Sequence, residues 1–185
     1  MPKESFRKQA LQRLRCRIGV RGYRQDKQAV EVLKRYLSRQ NIRSVLLYIP
    51  LPIEVDVRPL IVWLRRRGVT VYVPFMEGES FRLVKYRLPL RRKRFGIYEP
   101  KHSKQHREKK IDIAIVPVVG IDSTGRRIGF GKGMYDRFFD RERRNIQQIV
   151  FVQKELCRSP IPVTDDYDIK GDILVTGNGK IVKLS

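Results

Sequence analysis

Cysteine and histidine are nearly absent from this chain, with two of each in 185 residues. Cys16 and Cys157 stand far apart and outside any C-x-x-C pair, which excludes a disulfide framework and a cysteine-built zinc site. His102 and His106 invite a metal reading, but no Glu follows His102 to make H-E-x-x-H, and the surrounding lysines and arginines repel Zn²⁺. A solvated loop is the expectation there. Long apolar runs are missing too: none approaches the roughly 18 residues of a membrane span, and charged residues follow Met1 without the apolar core of a signal peptide. A soluble, unexported chain in a reducing cytoplasm is expected. Acid is the scarce charge, with 19 Asp and Glu against 41 Lys and Arg, a net +22. Such a field draws polyanions of any kind. No helix-turn-helix, zinc finger or aromatic-studded RNA-recognition strand accompanies it, so a solvated, heat-adapted surface is the plainer account.

What is present is a β-α-β rhythm at a length that suits one domain, residues 1–185. Residues 3–18 carry Phe6, Ala10, Leu11, Leu14 and Ile18 at helical spacing, with basic residues on the other faces. A turn at Arg21–Tyr23 and a second helix ending near Ser38 follow. Ser44–Ile49, Ile111–Pro117 and Ile146–Val152 are continuous apolar runs, the pattern of strands buried on both faces of a parallel sheet. Between them the spacing predicts a helix over Val57–Arg67 stopped by Gly68, and strands over Val69–Val73 and Phe81–Tyr86. A helix from Met134 and a final strand pair from Ile173 complete the pattern, with no internal repeat.

The chemistry concentrates in residues 125–137, G-R-R-I-G-F-G-K-G-M-Y-D-R. Gly125, Gly129, Gly131 and Gly133 let the backbone turn and bare its N–H groups, while Arg126, Arg127 and Lys132 add positive charge. Amides that converge beside cations, just before a helix, describe a phosphate cradle, and Asp136 at its exit suits the Mg²⁺ of a nucleotide. A Walker loop is excluded, because Arg126 stands where its first Gly belongs and Gly133 where its hydroxyl belongs. A dinucleotide fingerprint begun at Gly129 fails at Met134.

This run resembles the signature of the 5-formyltetrahydrofolate cyclo-ligase family, R-x-G-x-G-[KG]-G-Y-Y-D-R, with Met134 in place of the usual first aromatic. Y-I-P-L-P-I-E-V-D, F-G-I-Y-E-P and I-P-V-T-D-D-Y-D resemble further segments of that family, in its order. The resemblance implies a three-layer α/β/α sandwich with a Rossmann-like, mostly parallel sheet. It implies ATP contacts at Lys3, Arg7, Arg127, Gly129, Gly131, Lys132, Gly133 and Tyr135, with Lys132 and Arg127 catalytic. Folate contacts are implied at Ile49, Glu54, Phe95, Phe130, Gly131, Lys132, Gly133 and Met134, the carboxylate of Glu54 accepting from the pterin N–H groups. Asp136 and Asp168 are the implied Mg²⁺ ligands, with Asp165 and Asp166 as neighbours that a shifted register would substitute. The implied reaction is ATP-dependent cyclisation of 5-formyltetrahydrofolate, optionally polyglutamylated, to 5,10-methenyltetrahydrofolate; a monomer is expected, though the sequence carries no signal of oligomeric state. The competing readings are a basic nucleic-acid-binding protein whose glycine loop meets backbone phosphates, and an isomerase or transferase that uses the loop for a substrate phosphate.

Overall fold

The computed structural model describes residues 2–16, 18–92, 98–101 and 110–184. Helix α1 spans Lys3–Arg15 and α2 Val20–Ser38, so the turn expected at Arg21–Tyr23 is instead the opening of α2. Gly22 inside that segment signals a turn locally, but the helix buries Ala29, Val30, Leu33 and Leu37 against the sheet, and this packing prevails over the propensity of one glycine. Then come β1 (Ser44–Leu46), α3 (Arg58–Arg66), β2 (Thr70–Glu77), β3 (Ser80–Lys85) and a hairpin of β4 (Leu90–Arg92) with β5 (Tyr98–Pro100). The chain continues through β6 (Ile111–Pro117), a small hairpin of β7 (Gly120–Ile121) with β8 (Arg127–Ile128), α4 (Met134–Glu142), β9 (Ile146–Gln153), β10 (Ile173–Thr176) and β11 (Ile181–Lys183).

The main sheet has the order β11-β10-β9-β6-β1-β2-β3, parallel throughout except at its antiparallel edges β11 and β3. Its central strands are the apolar runs of the sequence, because helices cover both faces and leave no polar side to alternate with. One face packs Leu33, Leu37, Leu60, Ile61 and Leu64 of α2 and α3 onto Val45, Ile113, Ile115 and Val150. The other packs Phe138 and Phe139 of α4 onto Leu46, Val116, Ile149 and Phe151. The result is the expected three-layer α/β/α arrangement. Strand β1 leads to β2 on one side, whereas the chain later returns to place β6 on its other side. Open α/β sheets bind ligands at such a switch point, beyond the carboxyl ends of the strands. No helix among the described residues is long and apolar enough to cross a membrane.

Candidate active site

A cavity of about 1080 Å³ lies at that switch point, lined by Tyr48, Ile49 and Leu51 after β1, Pro74 and Met76 of β2 and Pro117 at the end of β6. The glycine-rich segment and the face of α1 close its other side. The ATP, folate and metal contacts implied by the resemblance all line this one cavity, except Phe95, which lies outside the described residues, as do His102 and His106.

Its cations arrive on two elements. Phe6, Ala10 and Leu14 bury one face of α1 against Val119, Ile128 and Cys157, which turns Lys3 and Arg7 toward the cavity. Arg7 Nε donates to the Gly129 carbonyl at 2.9 Å. Lys3 Nζ pairs with Asp165 at 3.0 Å and with Asp168, and it lies 5.2 Å from the centre of the Tyr167 ring. Burial works against the charge of Lys3, but its hydrogen bonds to Asp168 and Asp165 raise it above an ordinary lysine. Arg127, expected in a loop, sits in β8 with 4% exposure, pairs with Asp136 at 3.5 Å and covers the Tyr135 ring at 5.0 Å. Its Nε is buried and has no hydrogen-bond partner among the described residues. Gly129 makes room for this guanidinium, since a Cβ there would meet Arg127 Nη2 at 2.3 Å. Arg126 is a correction to the sequence reading: it leaves the cavity and pairs with Asp166 at 3.0 Å.

Gly133 holds the loop's exit at φ +58°, a left-handed conformation that serves as the N-cap of α4. From the first turn of α4, Arg137 donates to the Lys132 carbonyl at 2.5 Å and to the Glu79 carbonyl at 2.8 Å, tying the loop to the β2–β3 turn. Lys132 and Phe130 are exposed on the cavity rim. Behind them, buried Asp122 anchors the β7–β8 hairpin to the closing segment. Its carboxylate accepts from Thr124 N at 2.9 Å and from Val163 N and Thr164 N at 3.0 Å each. Burial opposes that charge, yet bonds from Thr124, Thr164 and Val163 hold Asp122 far below the usual carboxylate range. Sequence reasoning missed this role, although D-S-T-G after a strand is an Asx-turn signal.

The remaining wall is largely apolar, formed by Tyr48, Ile49, Leu51, Met76, Phe81 and Met134. Met134 faces the cavity while packing against the Phe81 and Phe138 cluster. Glu54 enters this wall, accepting from Leu51 N at 2.8 Å. Burial pushes its carboxyl up to about 7, opposed by the Leu51 N–H and the charges of Arg127 and Lys154. Burial and the nearby Glu54 likewise push the Tyr135 phenol upward. Glu99 is a buried carboxylate in the lining, accepting from Met76 N at 2.8 Å. It sits in the quoted F-G-I-Y-E-P segment, but β2 is too distant in sequence for spacing to reveal the bond.

The acids separate by direction. Asp168 is 6% exposed and Asp165 lines the cavity, whereas the side chain of Asp166 points fully into solvent. Asp136 Oδ1 accepts from Ile169 N at 3.4 Å, so the two carboxylates expected to share a cation stand on adjoining segments of one cavity. No group of three or more His, Cys, Asp or Glu able to hold a metal occurs among the described residues. Mg²⁺ does not need one, because it commonly takes one or two carboxylates and fills its octahedron with water and phosphate oxygens. The donor set therefore fits a nucleotide-borne Mg²⁺ and not a self-contained metal centre.

Comparison with known proteins agrees with this geometry. The model of the 5-formyltetrahydrofolate cyclo-ligase family matches residues 1–177. Relatives bearing the name 5-formyltetrahydrofolate cyclo-ligase include that of Mus musculus, 24% identical over 92% of this chain and 91% of its own length. That of Escherichia coli K12 is 30% identical over 66% of this chain and 71% of its own. The match to the Haemophilus influenzae protein is 28% identical and spans 58% of that protein's length. Among solved structures, the 5,10-methenyltetrahydrofolate synthetase of Aquifex aeolicus superposes with a TM-score of 0.77 at 29% identity, covering 100% of this chain and 93% of that one. With its sheet, its cavity at the switch point and a family match over nearly its whole length, the chain belongs to the 5-formyltetrahydrofolate cyclo-ligase family.

Proposed function

We propose that this protein converts 5-formyltetrahydrofolate to 5,10-methenyltetrahydrofolate at the expense of ATP, with Mg²⁺, releasing ADP and phosphate. The observation that carries the reading is the joining, in one cavity, of a cationic glycine-rich rim and an apolar wall bearing Glu54. A cleft with a half-buried carboxylate on its apolar wall suits a small heterocycle beside a polyphosphate, and it does not suit a polymer backbone, so the nucleic-acid reading of the glycine loop is set aside.

The formyl oxygen is a poor leaving group. It attacks the γ-phosphorus, the bond to ADP breaks, and the formyl carbon becomes the centre of an iminium phosphate. The N10 lone pair then attacks that carbon, the C–O bonding pair leaves with phosphate, and N10 gives up its proton. Phosphoryl transfer asks the protein for positioning and charge neutralisation, with no protein nucleophile. Lys132 and Arg127 neutralise the transferring group, and the orphan Nε of Arg127 is a donor ready for one of its oxygens. Lys3, Arg7 and the amides of Gly129, Gly131 and Gly133 hold the nucleotide, with Tyr135 beneath Arg127. Asp136 and Asp168 would hold Mg²⁺, which would supply screening of the phosphate oxygens; Lys3 pairs with Asp168 beside them. Glu54 accepts the pterin N–H groups, while Ile49, Phe130 and Met134 line the ring, with Phe95 assigned from the resemblance alone.

The test is the absorbance of the methenyl product with 5-formyltetrahydrofolate, ATP and Mg²⁺ supplied together and omitted singly. Product is expected only with all three, and product without ATP or without divalent metal would overturn the reading. Lys132→Ala should lower kcat on the order of a hundredfold with folate affinity nearly unchanged, because a cation beside the phosphoryl group acts most where charge develops. An unaltered kcat would remove Lys132 from the mechanism.

A further inference from the structure

Some of the cations that the cavity does not use line the opposite end of the sheet. Helices α2, α3 and α4 return the chain to the starts of β1, β2 and β9, so the residues entering the parallel strands lie away from the cavity. There, each of five neighbouring strands carries an exposed cation: Arg87 beyond β3, Arg65 ahead of β2, Arg43 ahead of β1, Lys110 ahead of β6 and Arg144 ahead of β9. Hydrogen bonds and strand pairing hold the four from β2 to β9 side by side. Thr70 N donates to the Arg43 carbonyl at 2.9 Å, Ser44 Oγ donates to the Lys110 carbonyl at 3.3 Å, and Ile111 pairs with Ile146 across β6 and β9. With strands about 4.8 Å apart, the row extends roughly 19 Å. A groove of about 230 Å³ between the ends of β2 and β3 is lined by Arg65, Arg87 and Tyr86.

Cations in the last turn of a helix have a structural account, since they complement its dipole, and that covers Arg65. It does not cover Arg43, beyond the end of α2, or Arg87, which follows a strand. Two acids at this end, Asp112 and Asp172, are engaged with the chain's own amides, and Glu142 accepts from Asn145 Nδ2 at 2.9 Å. Asp112 accepts from Arg43 N at 2.7 Å and Ser44 N at 2.9 Å, and Asp172 accepts from Ile149 N at 2.7 Å. We infer that this end of the sheet is a binding surface for a nucleic-acid strand, gripped through its regularly spaced phosphates. One face of Tyr86 is already covered by Arg65, 5.6 Å from the ring centre, which favours backbone contact over base reading. The surface is separate from the cavity, so both can be occupied at once.

The experiment is fluorescence anisotropy of the full chain with an end-labelled single-stranded RNA of mixed sequence, titrated across a range of salt. Arg43→Glu, Arg87→Glu and Arg144→Glu together are compared with Arg15→Glu, Arg24→Glu and Arg158→Glu, exposed cations elsewhere whose reversal changes net charge equally. The row variant should bind at least about tenfold more weakly and lose about 2 from the slope of log K against log salt, at roughly 0.7 per released contact. The control should shift less than about threefold. Equal weakening in both sets, or in neither, would overturn the proposal, and so would equal competition by poly-glutamate. If the reversals impair folding, the corresponding Gln variants carry the same comparison, with thermal melting as the check.

Discussion

Glu54 owes its character to where one side chain is buried. Withdrawal from water raises its carboxyl to about 7, and the Leu51 N–H with the charges of Arg127 and Lys154 only partly offsets this. Its folded pKa lies above the ordinary 4.5, so the folded state holds the proton more tightly. The associated stability is present below about pH 4.5 and is lost as pH rises through about 7. Glu54→Gln should remove that dependence and stabilise the unliganded protein at alkaline pH, by at most about 3 kcal/mol. Denaturant melts of both proteins across this range would show their difference growing with pH; a constant difference would mean that Glu54 titrates normally. The same variant should bind 5-formyltetrahydrofolate more weakly, since an amide offers one acceptor oxygen where the carboxylate offers two.

Among the elements, α1 is the one on which the proposed nucleotide half of the site depends. It touches the rest of the protein through a small cluster of its own, Phe6, Ala10 and Leu14 against Val119, Ile128 and Cys157, separate from the two large cores. Phe6→Ala removes its largest anchor, a loss of about 3–5 kcal/mol if the void does not collapse. Phe6 is the largest side chain of the apolar cluster beneath the helix, so α1 should loosen while the sheet remains intact. Hydrogen exchange should then speed up in α1 and not in β6, and KM for ATP should rise at least about tenfold as Lys3 and Arg7 lose their positions. Unchanged exchange in α1 would show that the Lys3 pairs with Asp165 and Asp168 suffice to hold it.

At the scale of the molecule, the +22 charge divides by location. Part of it faces acids across the cavity, as in the Lys3 and Arg127 pairs, and part forms the row at the far end of the sheet. Like charges held on one surface repel, and the repulsion favours an expanded chain. Sodium chloride should therefore raise Tm between low and high ionic strength, with a gain on the order of 1 kcal/mol, or a few degrees. Calorimetry in chloride, which lacks the specific binding of phosphate, checks this. A falling Tm would mean that the ion pairs outweigh the repulsion.

The sequence alone determined the parallel core, since strands covered on both faces must be apolar throughout, and Ile111–Pro117 and Ile146–Gln153 are where the pattern places them. It also determined the glycine-rich cationic turn and the helix after it, because the glycines and cations of residues 125–137 are contiguous and their turn, cap and helix are local events. Tertiary structure decided the rest. Arg126 and Arg127 are neighbours of identical chemistry, yet pairing in β8 sends one out to Asp166 and the other inward to Asp136. Asp165, Asp166 and Asp168 are equivalent on paper, and only the turn that carries them against α1 hides Asp168 and exposes Asp166. The β4–β5 hairpin and the Glu99 contact with β2 were equally illegible. Spacing along a chain records which face of its own helix or strand a residue occupies. It does not record which distant segment that face will meet, and the direction and charge of these side chains are set by that meeting.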